Sequence, residues 1–195
     1  MSVYNVIKAR RSVGKMKQER PSREKIEKIL AAATYAPNHH EVEPWRFFVL
    51  SGKYRQEVGD LLAQRLIERL PETTSEKAQA AIAKEGHKLM RAPVVIAVAW
   101  LKPNMAKVKD IENVEAVSAA IQNMLLVAQE EGLASIWRTG DGAYDPRIKA
   151  YFGLEPEEHI VGFVYLGYPA VPVSPREPTH FEHKTRWLGW DETEG

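Results

Sequence analysis

Apolar residues recur along this chain with helical spacing in most segments and with strand-like continuity in a few. Val3, Val6 and Ile7 predict a short first helix ending near Arg11. Ser22 stands ahead of Ile26, Ile29, Leu30 and Ala33, which predicts a capped helix running to about Tyr35. Pro37 ends it, because a residue before proline is pushed out of helical angles. Phe47 to Leu50 reads as a buried strand closed by Ser51-Gly52. Val58, Leu61, Leu62 and Leu66 predict a helix stopped by Pro71, and a charged helix follows from about Thr74 to Met90. Val94 to Trp100 is β-branched and continuous enough for a central strand covered on both faces.

The segment from Val114 to Glu131 is the most apolar helix, with Glu115, Gln122 and Gln129 leaving only a narrow polar strip. A helix apolar nearly all round is buried from several directions. Its own core accounts for that, or a second copy of the chain does. Ala134 to Trp137 and Ile160 to Leu166 predict two more strands, separated by a turn at Gly140-Asp141-Gly142 and a short helix from Pro146. Three or four strands among six helices make an α+β fold. No repeat or low-complexity linker interrupts residues 1–195, so a single domain is expected. Prolines at 169, 172, 175 and 178 turn the chain from about 169 into an extended arm. Its aromatic end, Phe181, Trp187 and Trp190, is suited to wrap a partner subunit.

Composition narrows the function. With 44% apolar residues, 195 residues can bury a real core, and a net charge of +1 gives no footprint of a nucleic-acid binder. The longest apolar run, Ala92 to Leu101, falls far short of the roughly 20 residues that span a bilayer. The polar and basic residues Tyr4, Asn5, Lys8, Arg10 and Arg11 interrupt the apolar stretch that a secretory leader needs, so none is expected. A cytoplasmic protein with no membrane or nucleic-acid partner is expected. Cysteine is absent, which removes disulfides, thiolate nucleophiles and iron–sulfur ligation, so any redox chemistry must reside in a bound cofactor. Adjacent His39 and His40 do not point together at one ion, and no metal site is expected. No G-x-G-x-x-G, Walker loop, H-E-x-x-H or G-x-S-x-G occurs.

Three short segments carry candidate chemistry. Arg10-Arg11-Ser12 places two guanidinium forks and a hydroxyl where a helix ends, the donor set of a phosphomonoester site. The plainer reading is a basic helix end that complements the macrodipole. Tyr35 to His40 brings small residues and an imidazole to a helix end where a flat ring could approach backbone, or is simply a proline-terminated helix with loop histidines. Trp137-Arg138-Thr139 closes a late strand.

These segments stand in order with others. Arg-Arg-Ser at 10–12, Ala-Pro-Asn-His at 36–39, Pro-Trp-Arg-Phe at 44–47, Ala-Pro-Val-Val-Ile at 92–96, Ala-Ile-Gln-Asn-Met-Leu-Leu at 120–126 and Gly-Leu-Ala-Ser-Ile-Trp-Arg at 132–138 resemble the nitroreductase family of FMN-dependent oxidoreductases. The likeness is greatest to its small, minimal members and covers roughly residues 3 to 170. It implies a central mixed sheet surrounded by helices in an intertwined homodimer, with two FMN sites at the interface. NAD(P)H would reduce the flavin, and a nitroaromatic, quinone or similar flat acceptor would reoxidise it by a ping-pong mechanism. Relatives of other chemistry (flavin cleavage, dehalogenation, enone reduction) and a non-catalytic flavin-binding dimer are the alternatives.

By the family's pattern Arg10 and Ser12 would grip the FMN phosphate while Arg11 supplies local backbone. Tyr35 and His39 would reach the flavin from the other subunit, Ala36, Pro37 and Asn38 would line the ring, and Trp137, Arg138 and Thr139 would complete the cradle. No side chain is assigned to catalysis, since the chemistry lies on flavin N5. Many members carry a cation two positions after the motif serine; here Gly14 stands there, followed by Lys15. Arg138 is the candidate substitute, with an ion pair to Asp141 or Glu131 as its other reading. Lys184 and Arg186 are the candidates for a basic phosphate contact near the C-terminus.

Overall fold

A computed structural model describes residues 2–105, 107–174 and 176–190. Its helices are α1 (Val3–Ala9), α2 (Arg23–Ala33), α3 (Lys53–Arg69), α4 (Glu76–Gly86), α5 (Asp110–Glu130) and α6 (Pro146–Tyr151). Its strands are β1 (Trp45–Leu50), β2 (Val94–Trp100), β3 (Ala134–Arg138) and β4 (His159–Gly167), forming one sheet in the order β1-β2-β4-β3. The α+β class is as the sequence implies, but the sheet departs from the mixed arrangement. All three ladders are antiparallel, and the parallel pairing is confined to an isolated bridge between Ser12 and Ser135. The reason is topological. The α5 crossover leaves β2 and β3 running the same way, and β4 then inserts between them against both.

Local signals explain the element ends. The Ser2, Ser22 and Ser75 hydroxyls accept from the backbone N–H groups of Asn5, Lys25 and Ala78, capping α1, α2 and α4. The charged segment is shorter than its composition suggests, because α4 stops at Gly86 and a 3-10 turn, Lys88–Arg91, takes over. At that point α3 and α4 touch backbone to backbone, and a Cβ on Gly59 would collide with the Gly86 carbonyl.

Every residue of β2 is buried, as a strand covered on both faces requires. One face packs Ile26 and Ile29 of α2 and Val117, Ile121 and Met124 of α5 against Ile96 and Val164. The other packs Val58 and Leu62 of α3 and Ile148 of α6 against Val95 and Ile160. Outside its core face, α5 presents Leu126 and Val127 to a groove shared with Val3, Val6, Ala32 and Tyr35. Among the described residues no helix is long and apolar enough to cross a membrane.

Candidate functional site

The first dozen residues fold back onto the last strand of the sheet. The Val13 amide donates to the Ser135 carbonyl at 3.0 Å, and Lys17 donates to Tyr168 at 2.9 Å. Ser12, Gly14 and the end of β3 thus share one edge, which joins two of the three candidate segments.

Arg10 is the C-cap of α1 and half-buried. Burial, and then the neighbouring charges of Arg11 and Arg176, hold its guanidinium below the usual arginine range. No acidic side chain among the described residues pairs with any of the three. Arg11 has a different employment from Arg10. Its guanidinium donates to the carbonyls of Lys8 (2.7 Å), Arg10 (2.6 Å), Ser174 (3.2 Å) and Arg176 (3.4 Å), tying the arm to the end of α1. Arg176, which composition did not single out, is therefore the arm's cation beside Arg10. Lys184 and Arg186 lie exposed further along.

At the end of β3, Trp137 lays its indole across Gly162 of β4, where a Cβ would collide with Nε1. Arg138 lies on the opposite face with its guanidinium 5.9 Å from the Tyr165 ring centroid. Burial pushes the Tyr165 phenol up, and the charge of Arg138 opposes that shift. The ion pairs considered for Arg138 are not formed. Asp141 is held by Arg65 and Arg69, and Glu131 by Lys25 and Lys28. Instead, Arg138 Nη2 packs close beside Gly14, 3.3 Å from where a Cβ there would stand. Thr139 is exposed, and Asp141–Tyr144 beyond it forms a 3-10 turn.

The third segment lies elsewhere. Tyr35 is 86% exposed at the rim of the apolar groove on α5. Ala36 is buried, Pro37 is exposed, and Asn38 Oδ1 accepts from the Glu43 amide at 2.8 Å. His40, Glu41 and Glu43 all have positive φ, a strained loop for non-glycine residues. His39 stacks on His40, and its Nδ1 lies 2.9 Å from Glu112 in the first turn of α5. This contact holds the Glu112 carboxyl below its usual range.

By contrast, the end of α1 lies beside Gln129, near the far end of the same helix. From Glu112 to Gln129 the helix rises about 26 Å, more than one FMN can bridge. One protomer brings Arg10, Ser12 and Arg138 to a common edge and leaves His39 at the other end of α5.

Comparison with known proteins agrees with this architecture. The chain is 30% identical over 174 residues to YdjA of Escherichia coli strain K12, whose name as an NAD(P)H nitroreductase is provisional, covering 89% of this chain and 92% of that one. A nitroreductase-like family protein from Bacillus cereus superposes with a TM-score of 0.81 at 27% identity, covering 96% of each chain. A provisionally named nitroreductase of Desulfovibrio desulfuricans, crystallised in complex with FMN, superposes with a TM-score of 0.70 at 25% identity, covering 92% of this chain and 93% of that one. The profile of the nitroreductase family matches residues 7–168, and the chain belongs to that family.

Proposed function

We propose that this protein is an FMN-dependent oxidoreductase that draws electrons from NAD(P)H and passes them to a flat, electron-poor acceptor such as a nitroaromatic or a quinone. The observation that carries the reading is the cluster of Arg10, Arg11 and Arg176 beside Ser12, with no acidic side chain paired to them among the described residues. Like charges are gathered at such cost where an anion completes them. A terminal phosphate suits the Arg10 fork and the Ser12 hydroxyl, with Arg176 adding charge and Arg11 holding the arm that carries it. FMN, bound in the Desulfovibrio relative, has such a phosphate. When bound, it would supply hydride transfer at N5, first from NAD(P)H and then to the acceptor in the same pocket, a ping-pong sequence.

The protein's own residues bind and orient. At the β3 edge the Arg138 guanidinium lies against Gly14, while Trp137 and Thr139 finish that edge. Tyr35, Pro37, Asn38 and His39 would close the ring site from a second copy of the chain. Two observations support that homodimer: the length of α5 between Glu112 and Gln129, and the apolar groove of Val3, Tyr35, Leu126 and Val127.

The cofactor is tested directly. Protein purified from expression should be yellow, release FMN on heating as identified by mass, and bleach anaerobically with NADH or NADPH. Released FAD, or a colourless protein that FMN cannot reconstitute, would end this reading.

A further inference from the structure

We propose that His39 gives the electron acceptor its proton and that Glu112 is the positioning residue behind it, holding the imidazole by Nδ1 so that Nε2 meets the substrate. The inference rests on the reading above, in which His39 closes the ring site of a second copy, and gives that place a chemical task. Three features of the structure carry it. His39 Nδ1 lies 2.9 Å from Glu112 Oε2, and this hydrogen bond leads the effects that hold the Glu112 carboxyl below its usual range. The His39 ring is also stacked on His40, 4.2 Å between centroids and 14° between planes. Braced on two sides, the side chain stays half-exposed, and its Nε2 has no partner among the described residues. Third, the loop that carries it is strained, with φ of 56° at His40, 53° at Glu41 and 45° at Glu43. Such backbone persists where surrounding contacts over-determine it. Here Asn38 Oδ1 accepts from the Glu43 amide while Glu112 holds the imidazole.

The reaction creates the need for a proton. A quinone that receives a hydride from reduced flavin becomes a hydroquinone monoanion, and one proton on its second oxygen completes the two-electron reduction. The His39 imidazolium breaks its Nε2–H bond as the new O–H bond forms. The neutral ring keeps Nδ1–H on Glu112 until solvent returns a proton to Nε2. Of the side chains assigned to the ring site, only an imidazole both gives and regains a proton readily near neutral pH. A carboxylate at one ring nitrogen decides what the other nitrogen can do.

The test separates an acceptor that takes a proton from one that does not. Holoprotein reduced by NAD(P)H is reoxidised in a stopped flow with para-benzoquinone or with ferricyanide, which accepts electrons alone. The parent protein, His39→Gln, Glu112→Ala and the double variant are compared, with folding checked by circular dichroism and FMN occupancy by absorbance. General acid catalysis contributes roughly a hundred- to ten-thousandfold, so His39→Gln should lose at least tenfold more of its rate with benzoquinone than with ferricyanide. Glu112→Ala should show a smaller loss of the same kind. The double variant should be no slower than His39→Gln, because Glu112 acts through His39. In the apoprotein, heteronuclear NMR of the neutral His39 ring should find its proton on Nδ1, and Glu112→Ala should move it to Nε2. Equal losses with the two oxidants, or no loss with either, overturn the proton donor. A double variant slower than His39→Gln, or a parent ring with its proton on Nε2, overturns the positioning role. A parent protein that binds no FMN refutes the function proposed above, a separate failure visible before any variant is made.

Discussion

Arg10 and Arg11 are neighbours of one type, and their surroundings give them opposite tasks. Arg11 donates to four backbone carbonyls, whereas Arg10 lies near the charges of Arg11 and Arg176 and pairs with no acidic side chain among the described residues. Arg10→Ala should weaken FMN binding by about 1.5–3 kcal/mol, roughly ten- to more than a hundredfold, as one charge-assisted phosphate contact is lost. Fluorescence titration of the folded apoprotein measures this, and full affinity in the variant would return Arg10 to the role of a helix-end charge. The sequence made Arg10 and Ser12 legible because a helix boundary and residue type suffice to place donors at a turn. It could not assign Arg176, since a proline-rich segment has no period to say which of its cations lies near Arg10. Nor could Gly14 reveal its partner: a missing side chain names no neighbour until β3 is laid beside it.

Among the elements, α6 shows how a short helix is fixed at its start. Pro146 opens it, and Asp145 caps it by accepting from the Arg147 amide at 2.9 Å and from the Arg147 side chain. The Asp145 carboxylate is 7% exposed and also lies 3.4 Å from Arg65. Its hydrogen bonds to Arg147 lead the effects that hold its pKa below the ordinary aspartate value, against the opposing pull of burial. A depressed folded-state pKa gives stability that is complete above the unfolded value of about 3.9 and is lost as pH falls through the folded one. Asp145→Ala should therefore cost about 1–3 kcal/mol at neutral pH and flatten the decline below pH 4. Thermal unfolding across pH checks this, and an acid branch parallel to the parent's would place the linkage elsewhere. β2 was readable because burial on two faces demands a continuous apolar run. The start of α3 was not, since its first turn, Lys53 to Gln56, has no apolar stripe and follows Gly52 at positive φ. Strand direction was hidden as well, because α5 joins β2 to β3 without showing that β4 lies between them.

At the scale of the whole molecule, the proposed homodimer takes Arg10 of each site from one copy and His39 from the other, in keeping with their separation along α5. Arg10→Glu and His39→Glu should each silence both symmetric sites of a homodimer. Refolding an equal mixture should restore about a quarter of all sites, since half the dimers are mixed and each mixed dimer holds one intact site. No recovery, with heterodimers demonstrated and both variants folded, would assign both residues to one subunit's site. The apolar excess of α5 was legible in sequence: one face fills the core, as the first reading of it expects, and another lines an open groove. The latch of Arg11 onto the arm also bears on biosynthesis. Its partners lie up to 165 residues away in the chain. At roughly 5–20 residues per second, a ribosome takes about ten to thirty seconds to travel from Arg11 to its partners in the arm. On the phosphate site proposed above, the nascent chain lacks Arg176 during that interval, so flavin loading is expected to be a late event, favoured once the arm has been made.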